Sequence, residues 1–266
     1  MISIIICSRN KGMLAQITSN VEETIGVQHE IISVNNSTGK YGICAAYNLG
    51  ASQSKYEILC FMHEDIKFHT LGWGQVVADK LADARAGVLG VAGGTYQPAA
   101  PTSWVGAGLA NIRMNVLHST NTTPAQLAYH NAHSETVAEA ATVDGLWMCC
   151  RKDVWQEFPF DEINFPHFHF YDIDFCTRIF PKYKILITYE ILIEHFSAGT
   201  FERDWLINAI KYYKLRRAYL PFGAIALTAS EAKAIELNVF QQAAMKTIGY
   251  DLGLQEFVFA CAKLCQ

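Results

Sequence analysis

Ile58-Leu59-Cys60-Phe61-Met62-His63-Glu64-Asp65 runs from five apolar residues straight into three ionisable ones. An apolar run of this length, with β-branched and aromatic members, reads as a buried strand. Burying the three ionisable side chains unpaired would be costly, so they belong at the strand's exit, facing a cleft. An imidazole and a carboxylate two residues apart can point to the same side there, which suits a divalent metal. The plain structural alternative is a charged surface turn, and the tripeptide by itself favours that reading.

Working outward, the same alternation repeats over the first ninety residues. Ile2–Ile6, Glu30–Val34, Glu57–Met62 and Gly87–Ala92 read as strands. Between them, Met13, Leu14, Ile17, Val21 and Ile25 recur at helical spacing. Ile43–Ala51 and Leu71–Ala84 also read as helices, the latter with Trp73, Val76, Val77 and Leu81 on one face. Strands that are apolar throughout and alternate with helices predict an α/β, Rossmann-like fold with a mostly parallel central sheet flanked by helices. Ligands of such sheets bind beyond the strands' carboxyl ends. Three polar segments fall there: Ser8-Arg9-Asn10, Asn35-Asn36-Ser37 and His63-Glu64-Asp65.

From Gly93 to about Ser134 the pattern weakens into glycine- and proline-marked loops, with strands expected near Ala110–Val116. Long irregular stretches in compact domains are often functional, and Gly93–Gly108 is a candidate closing loop. Further on, Thr136–Val143 and Lys184–Ile193 read as strands, and Lys152–Phe158 and Asp172–Phe180 as helices. From about Asp204 onward the chain reads as helical, interrupted near Pro221-Phe222-Gly223. The expected organisation is a unit over 1–200 with a helical C-terminal extension over 201–266.

The chain has 266 residues, 51% hydrophobic and 17% charged, which supports a sizeable core and argues against disorder. A net charge of -4 argues against a duplex nucleic-acid partner, which would want a basic face. The eight cysteines lie mostly in apolar runs and show no paired CxxC spacing, so they read as buried thiols in a reducing compartment. Cys261 and Cys265, four apart on an expected helix, read the same way. Met1–Arg9 is too short to span a membrane and lacks a signal's basic start and cleavage site, so cytoplasmic residence is expected.

Two more segments carry chemistry. In Tyr171-Asp172-Ile173-Asp174-Phe175-Cys176-Thr177-Arg178, Asp172 falls at a helix start. It reads either as an N-cap carboxylate or as a base held by a rigid helix end. Asp174 and Arg178, four apart, can pair along the helix. In Ile193-Glu194-His195, the imidazole follows an apolar strand, as His63 does. A single such histidine is usually structural. Two of them with an aspartate at separate strand ends suit Mn²⁺ and similar ions.

Together these segments resemble family 2-type glycosyltransferases with the nucleotide-sugar-binding GT-A fold, over about residues 1–200. Ser3-Ile4-Ile5-Ile6-Cys7-Ser8-Arg9-Asn10 is similar to that family's opening strand, SIIIPxYN. Glu30–Ser37 is similar to its second strand, and Ala45-Ala46-Tyr47-Asn48-Leu49-Gly50 to the helix that follows. Phe61–Asp65 falls where the family carries an Asp-x-Asp metal motif. Gly145–Arg178, with Phe160-Asp161-Glu162, falls on its acceptor-side pattern.

The resemblance implies that Cys7, Arg9 and Asn36 line the nucleobase pocket. It implies that Asp65 ligates the metal, Mn²⁺ or Mg²⁺, and contacts the nucleotide ribose and diphosphate. His195 matches a late metal-ligand histidine, and His63 stands in place of the first aspartate, to assist the metal or shape the loop. Asp172 is the implied general base. Asn35-Asn36 stands in place of two aspartates and leaves base preference open. Tyr47 replaces an arginine, and Tyr171 replaces the glutamate before the base. Losing that negative neighbour, with the helix dipole added, predicts a low pKa and a weak base at Asp172.

The implied function is metal-dependent, inverting transfer of a sugar from a nucleoside-diphosphate sugar to a hydroxyl of a glycan or lipid-linked glycan. The alternatives are a degenerate relative that only binds nucleotide or glycan, and a nucleotidyltransferase. Aromatic residues over Phe158–Phe170 read as a sugar-stacking wall or as a packed loop. Lys211, Lys214, Arg216 and Arg217, beside Tyr212, Tyr213 and Tyr219, read as a peripheral contact with the inner face of a membrane or as a packing or homodimer surface.

Overall fold

The computed structural model describes residues 1–120, 122–197, 199 and 202–252. The chain opens with β1 (Ile2–Ser8), α1 (Lys11–Thr24), β2 (His29–Asn35), α2 (Ile43–Ser52) and β3 (Ile58–Met62). It continues through β4 (Ile66–Phe68), α3 (Trp73–Leu81), β5 (Ala86–Gly90), β6 (Ala92–Gly94), β7 (Tyr96–Gln97), β8 (Ile112–His118) and β9 (Gln126–His130). Then come β10 (Val137–Ala140), β11 (Thr142–Val143), β12 (Trp147–Arg151), α4 (Lys152–Glu157), α5 (Tyr171–Ile179), β13 (Lys184–Thr188) and β14 (Ile193–His195). The described chain closes with α6 (Arg203–Arg216), β15 (Phe222–Gly223) and α7 (Ala229–Gly249).

The central sheet has seven strands in the order β10-β13-β5-β12-β3-β1-β2. The pairs β1–β2, β1–β3 and β5–β13 are parallel, while β12 runs antiparallel to both β3 and β5, as β10 does to β13. The sheet is therefore mixed, where a mostly parallel one is expected from sequence. Complete apolarity reports burial on both faces, not direction. Trp147-Met148-Cys149-Cys150 is as buried in the middle of the sheet as Ile4-Ile5-Ile6 is.

A second sheet, β11-β6-β8-β14-β4 with β9 added on β8, stands beside the strand exits. Three segments expected as single strands, Gly87–Ala92, Thr136–Val143 and Lys184–Ile193, each leave the first sheet and enter the second. Glycine permits two of these crossings to nest. A Cβ on Gly93 would lie 1.9 Å from the Thr142 carbonyl oxygen, and one on Gly90 would lie 2.9 Å from the Val143 side chain. The segment Gly93–Gly108 is not a surface flap. Thr95, Gln97, Ala100, Thr102, Ser103 and Trp104 are all buried.

The helices dock as their apolar faces dictate. Asn10 caps α1 by accepting from the amides of Gly12 and Met13 at 2.9 and 3.2 Å, and Ile17 and Val21 face the sheet. The C-terminal helix α6 buries Trp205, Leu206, Ala209, Ile210 and Tyr212 in the main core. Arg216 also turns inward, onto Asp174 and Asp161 at 2.6 and 2.7 Å. Lys211 donates to the Asn164 carbonyl, and Tyr213 is buried. Arg216, Tyr212 and Tyr213 are thus taken up in packing, while Lys211, Lys214, Arg217 and Tyr219 stay exposed.

α7 starts with a capping box between Thr228 and Glu231. Among the described residues no helix is long and apolar enough to cross a membrane. Cys7, Cys44, Cys60, Cys149, Cys150 and Cys176 are free thiols, all buried but Cys7. Cys261, Cys265 and the rest of the expected terminal helix lie outside the described residues.

Candidate active site

The exits of β1, β2, β3 and β14 and the start of α5 open on one cleft of about 900 Å³. It is lined by all seven residues singled out from sequence: Cys7, Arg9, Asn36, His63, Asp65, Asp172 and His195. Strand registry is what joins them. β1 and β3 are paired in parallel from Ile2↔Ile58 to Ile6↔Met62, so Cys7 and His63 leave the sheet side by side. β14 brings in His195 opposite Ile66, next to Asp65.

Asp65 sits between the two imidazoles. Its carboxylate oxygens lie 3.7 Å from His63 Nδ1 and 3.5 Å from His195 Nε2. One ligand atom from each of His63, Asp65 and His195 falls within 4.8 Å of the others. Burial acts to raise the Asp65 carboxyl, but the His195 hydrogen bond and the charges of both histidines hold it well below the usual range. His63 is pushed down by burial despite Asp65. For His195 burial pulls the same way, but Asp65 prevails and raises it. Two imidazole nitrogens and a carboxylate this close fit a divalent cation.

Glu64 accepts from Ser8 Oγ at 2.7 Å and from the Arg9 and Asn10 amides at 3.0 and 3.1 Å. It therefore fastens the exit of β3 to that of β1 and to the start of α1. Asn36 is also committed. Its amide donates to the Tyr41 carbonyl at 2.8 Å and accepts from the Tyr41 amide at 2.9 Å. Its side chain shapes the cleft wall over 36–41 rather than standing free to read a base.

Asp172 is the second residue of α5, not its cap. It accepts from the Gly145 and Ile173 amides, each at 2.9 Å. Burial and the nearby Asp144 raise its carboxyl to about 7, and these two hydrogen bonds only partly offset them. The low pKa expected from sequence is thus reversed. Asp144 supplies the negative neighbour that the Tyr171 replacement removes, and burial outweighs the helix dipole.

Asp144 is itself held by the Trp104 indole at 3.1 Å and the Leu146 amide at 2.8 Å. Sequence reading missed it. The only signal was a lone carboxylate in Val143-Asp144-Gly145, between two apolar strands. The aromatic segment does contribute a wall: Phe168 stays exposed in the cleft, with its ring 5.6 Å from that of His63. The neighbouring Phe160 and Phe165 are core residues.

A mixed sheet with a second sheet beside it, and a cleft joining a metal-competent triad to a carboxylate on a helix start, is a fold shared with GT-A glycosyltransferases. The chain belongs to the glycosyltransferase-like family whose model matches residues 3–220, a family 2-like group.

Among solved structures it is similar to GalNAc-T7 with UDP, GalNAc and Mn²⁺ (TM-score 0.54, 11% identity, covering 95% of this chain and 57% of that one). The mannosyltransferase PcManGT from Pyrobaculum calidifontis, with GDP-Man and Mn²⁺, has TM-score 0.54 and 9% identity over 99% of this chain and 74% of that one. TarS 1–349 of S. aureus, with UDP-GlcNAc, has TM-score 0.56 and 11% identity over 100% and 80%. The chain thus spans little more than half the length of the first of these. At such identities the likeness is one of fold. No curated protein matches the chain in sequence.

Proposed function

We propose that the protein is a metal-dependent, inverting glycosyltransferase. It moves a sugar from a nucleoside-diphosphate sugar to a hydroxyl of a glycan or lipid-linked acceptor, in cell-surface glycan synthesis. The observation that carries this reading is the opening of two features on one cleft: the His63, Asp65 and His195 group, and an Asp172 carboxyl raised to about 7. A base works best with a pKa near the working pH, and Asp172 meets that condition.

The steps assigned to the chain are few. Cys7, Arg9 and the 36–41 wall hold the nucleotide, with Asp65 toward its ribose and diphosphate. Phe168 offers an apolar face for a sugar ring to stack on. Asp172 Oδ takes the proton of the acceptor hydroxyl as that oxygen bonds to the anomeric carbon from the face opposite the departing diphosphate, which inverts the centre. Asp144, by its charge, keeps Asp172 basic enough to take it. A divalent cation held by Asp65, His195 and His63 would stabilise the negative charge of the leaving nucleoside diphosphate.

The test is sugar transfer or donor hydrolysis from a panel of nucleotide sugars, by wild type and Asp172→Asn. Turnover lost with nucleotide binding retained is the expected result. Full turnover in the variant would remove Asp172 as the base. No turnover by wild type on any donor, with nucleotide bound, would leave a binding protein.

A further inference from the structure

His63 and Tyr171 are both departures from the family pattern, and they are 108 positions apart. In the fold they meet: His63 Nε2 lies 2.8 Å from Tyr171 Oη. The other ring nitrogen, Nδ1, faces Asp65 at 3.7 Å. One imidazole therefore bridges the first turn of α5 and the carboxylate of the candidate metal group.

The phenol is well fixed. Tyr171 is 4% exposed, packs edge-on against Tyr47 at 5.7 Å, and has its hydroxyl where only a glycine leaves room: a Cβ on Gly145 would lie 2.0 Å from Oη. Phe170 before it takes a left-handed backbone (φ 68°), which is unfavourable for an aromatic residue and is held here by its packing on Trp205 and Tyr212.

A neutral imidazole carries one proton, and its partner decides where. If Tyr171 donates to Nε2, the proton sits on Nδ1 and faces the Asp65 carboxylate at 3.7 Å, which leaves no lone pair there for a cation. If Nε2–H donates to Tyr171, Nδ1 offers a lone pair toward Asp65. Histidines that bind metals are commonly fixed in this way, by a partner on the nitrogen away from the ion.

We propose that Tyr171 is a positioning residue that accepts the His63 Nε2–H, turns Nδ1 toward Asp65, and so completes a two-imidazole, one-carboxylate cradle that favours Mn²⁺ over Mg²⁺. The preference follows from the donors. Mg²⁺ wants oxygen ligands in near-ideal octahedral geometry and keeps its waters, whereas imidazole suits transition metals. The inference rests on the metal reading above, and the experiment separates the two.

The full chain is titrated calorimetrically with MnCl₂ and with MgCl₂, without nucleotide, as wild type, Tyr171→Phe and His63→Asp. Wild type is expected to bind Mn²⁺ at least about tenfold more tightly than Mg²⁺. Tyr171→Phe should lose roughly 10–100-fold in Mn²⁺ affinity, the usual effect of removing such a partner, with its metal-free melting temperature little changed. His63→Asp should narrow the Mn²⁺-to-Mg²⁺ ratio. In ¹⁵N-labelled wild type loaded with diamagnetic Zn²⁺ in place of Mn²⁺, the His63 proton should reside on Nε2. That measurement decides the matter should Tyr171→Phe fail to fold. Unchanged Mn²⁺ affinity in Tyr171→Phe, or a proton on Nδ1 in Zn²⁺-loaded wild type, overturns the role of Tyr171 alone. Absence of any divalent binding by wild type overturns the metal reading and this inference with it.

Discussion

Burial beside Asp144 pushes the Asp172 carboxyl up to about 7, from an ordinary 3.8. A base must be ionised, so turnover should rise with pH through about 7, and the acidic limb of kcat/KM is the measurement. The sign for stability is opposite. The folded state holds a proton that the unfolded chain releases above 3.8, so this group's stabilisation is full below that value and is lost as pH rises through about 7. Asp172→Asn should flatten this slope and melt no lower than wild type at pH 8, while losing about 10²–10⁴-fold in turnover. A large loss of melting temperature would make Asp172 structural. Replacing Asp144 by Asn should shift the acidic limb to lower pH, since the negative neighbour is gone. Sequence placed Asp172 at its helix start but misjudged its charge, because Asp144 lies 28 positions away in the chain, unseen by any local pattern (172 − 144). The role of Glu64 was hidden for the same reason: its donors, Ser8, Arg9 and Asn10, come from another strand's exit.

Helix α5 carries both Tyr171 and Asp172, and its position depends on charges at its buried side. Asp174, fully buried, is paired to Arg178 at 2.8 Å along the helix and to Arg216 of α6 at 2.6 Å. Arg216 also reaches Asp161 at 2.7 Å, so one guanidinium joins α6, α5 and the segment before α5. Removing Arg216 leaves buried Asp174 with Arg178 alone, so Arg216→Met should destabilise the protein by about 1–3 kcal/mol, read by urea unfolding. Arg216→Lys should recover only part of this, because an ammonium lacks the planar fork that engages both carboxylates. A variant as stable as wild type would show the network to be dispensable. The i,i+4 pair was legible from spacing, and the apolar period of each helix in the first ninety residues located it to within a few residues. What spacing could not give was the third member from α6, or the points where β5, β10 and β13 give way to β6, β11 and β14. Those crossings depend on contacts such as Gly93 against Thr142, which belong to the packed sheets and leave no local period.

At the scale of the whole molecule, the cleft exists because strands far apart in the chain end together: β1, β2 and β3 from the first sheet, and β14 from the second. Alternation of strand and helix made the first sheet's crevice legible, and the polar residues at its strand exits marked it. The second sheet was not, since β4 and β9 are short or exposed and carry little apolar pattern. On the proposed function, Asp65, between two histidines, would serve the diphosphate and metal end, and Asp172 the acceptor end. A ligand at 100 times its Kd stabilises a fold by about 2.7 kcal/mol, which for a chain of this size is roughly 5–10 °C in melting temperature. UDP or GDP should therefore raise the melting temperature by about that much with Mn²⁺ present, and by much less after chelation. Asp65→Asn should abolish the metal-dependent part of the shift, while Asp172→Asn should retain it in full. Were the shift the same with and without Mn²⁺, the nucleotide would be held by the cleft walls alone and the metal corner would have no part in donor binding. Loss of the shift in Asp172→Asn would instead mean that the two ends of the cleft act as one site, since a change at the acceptor end would then have reached the nucleotide.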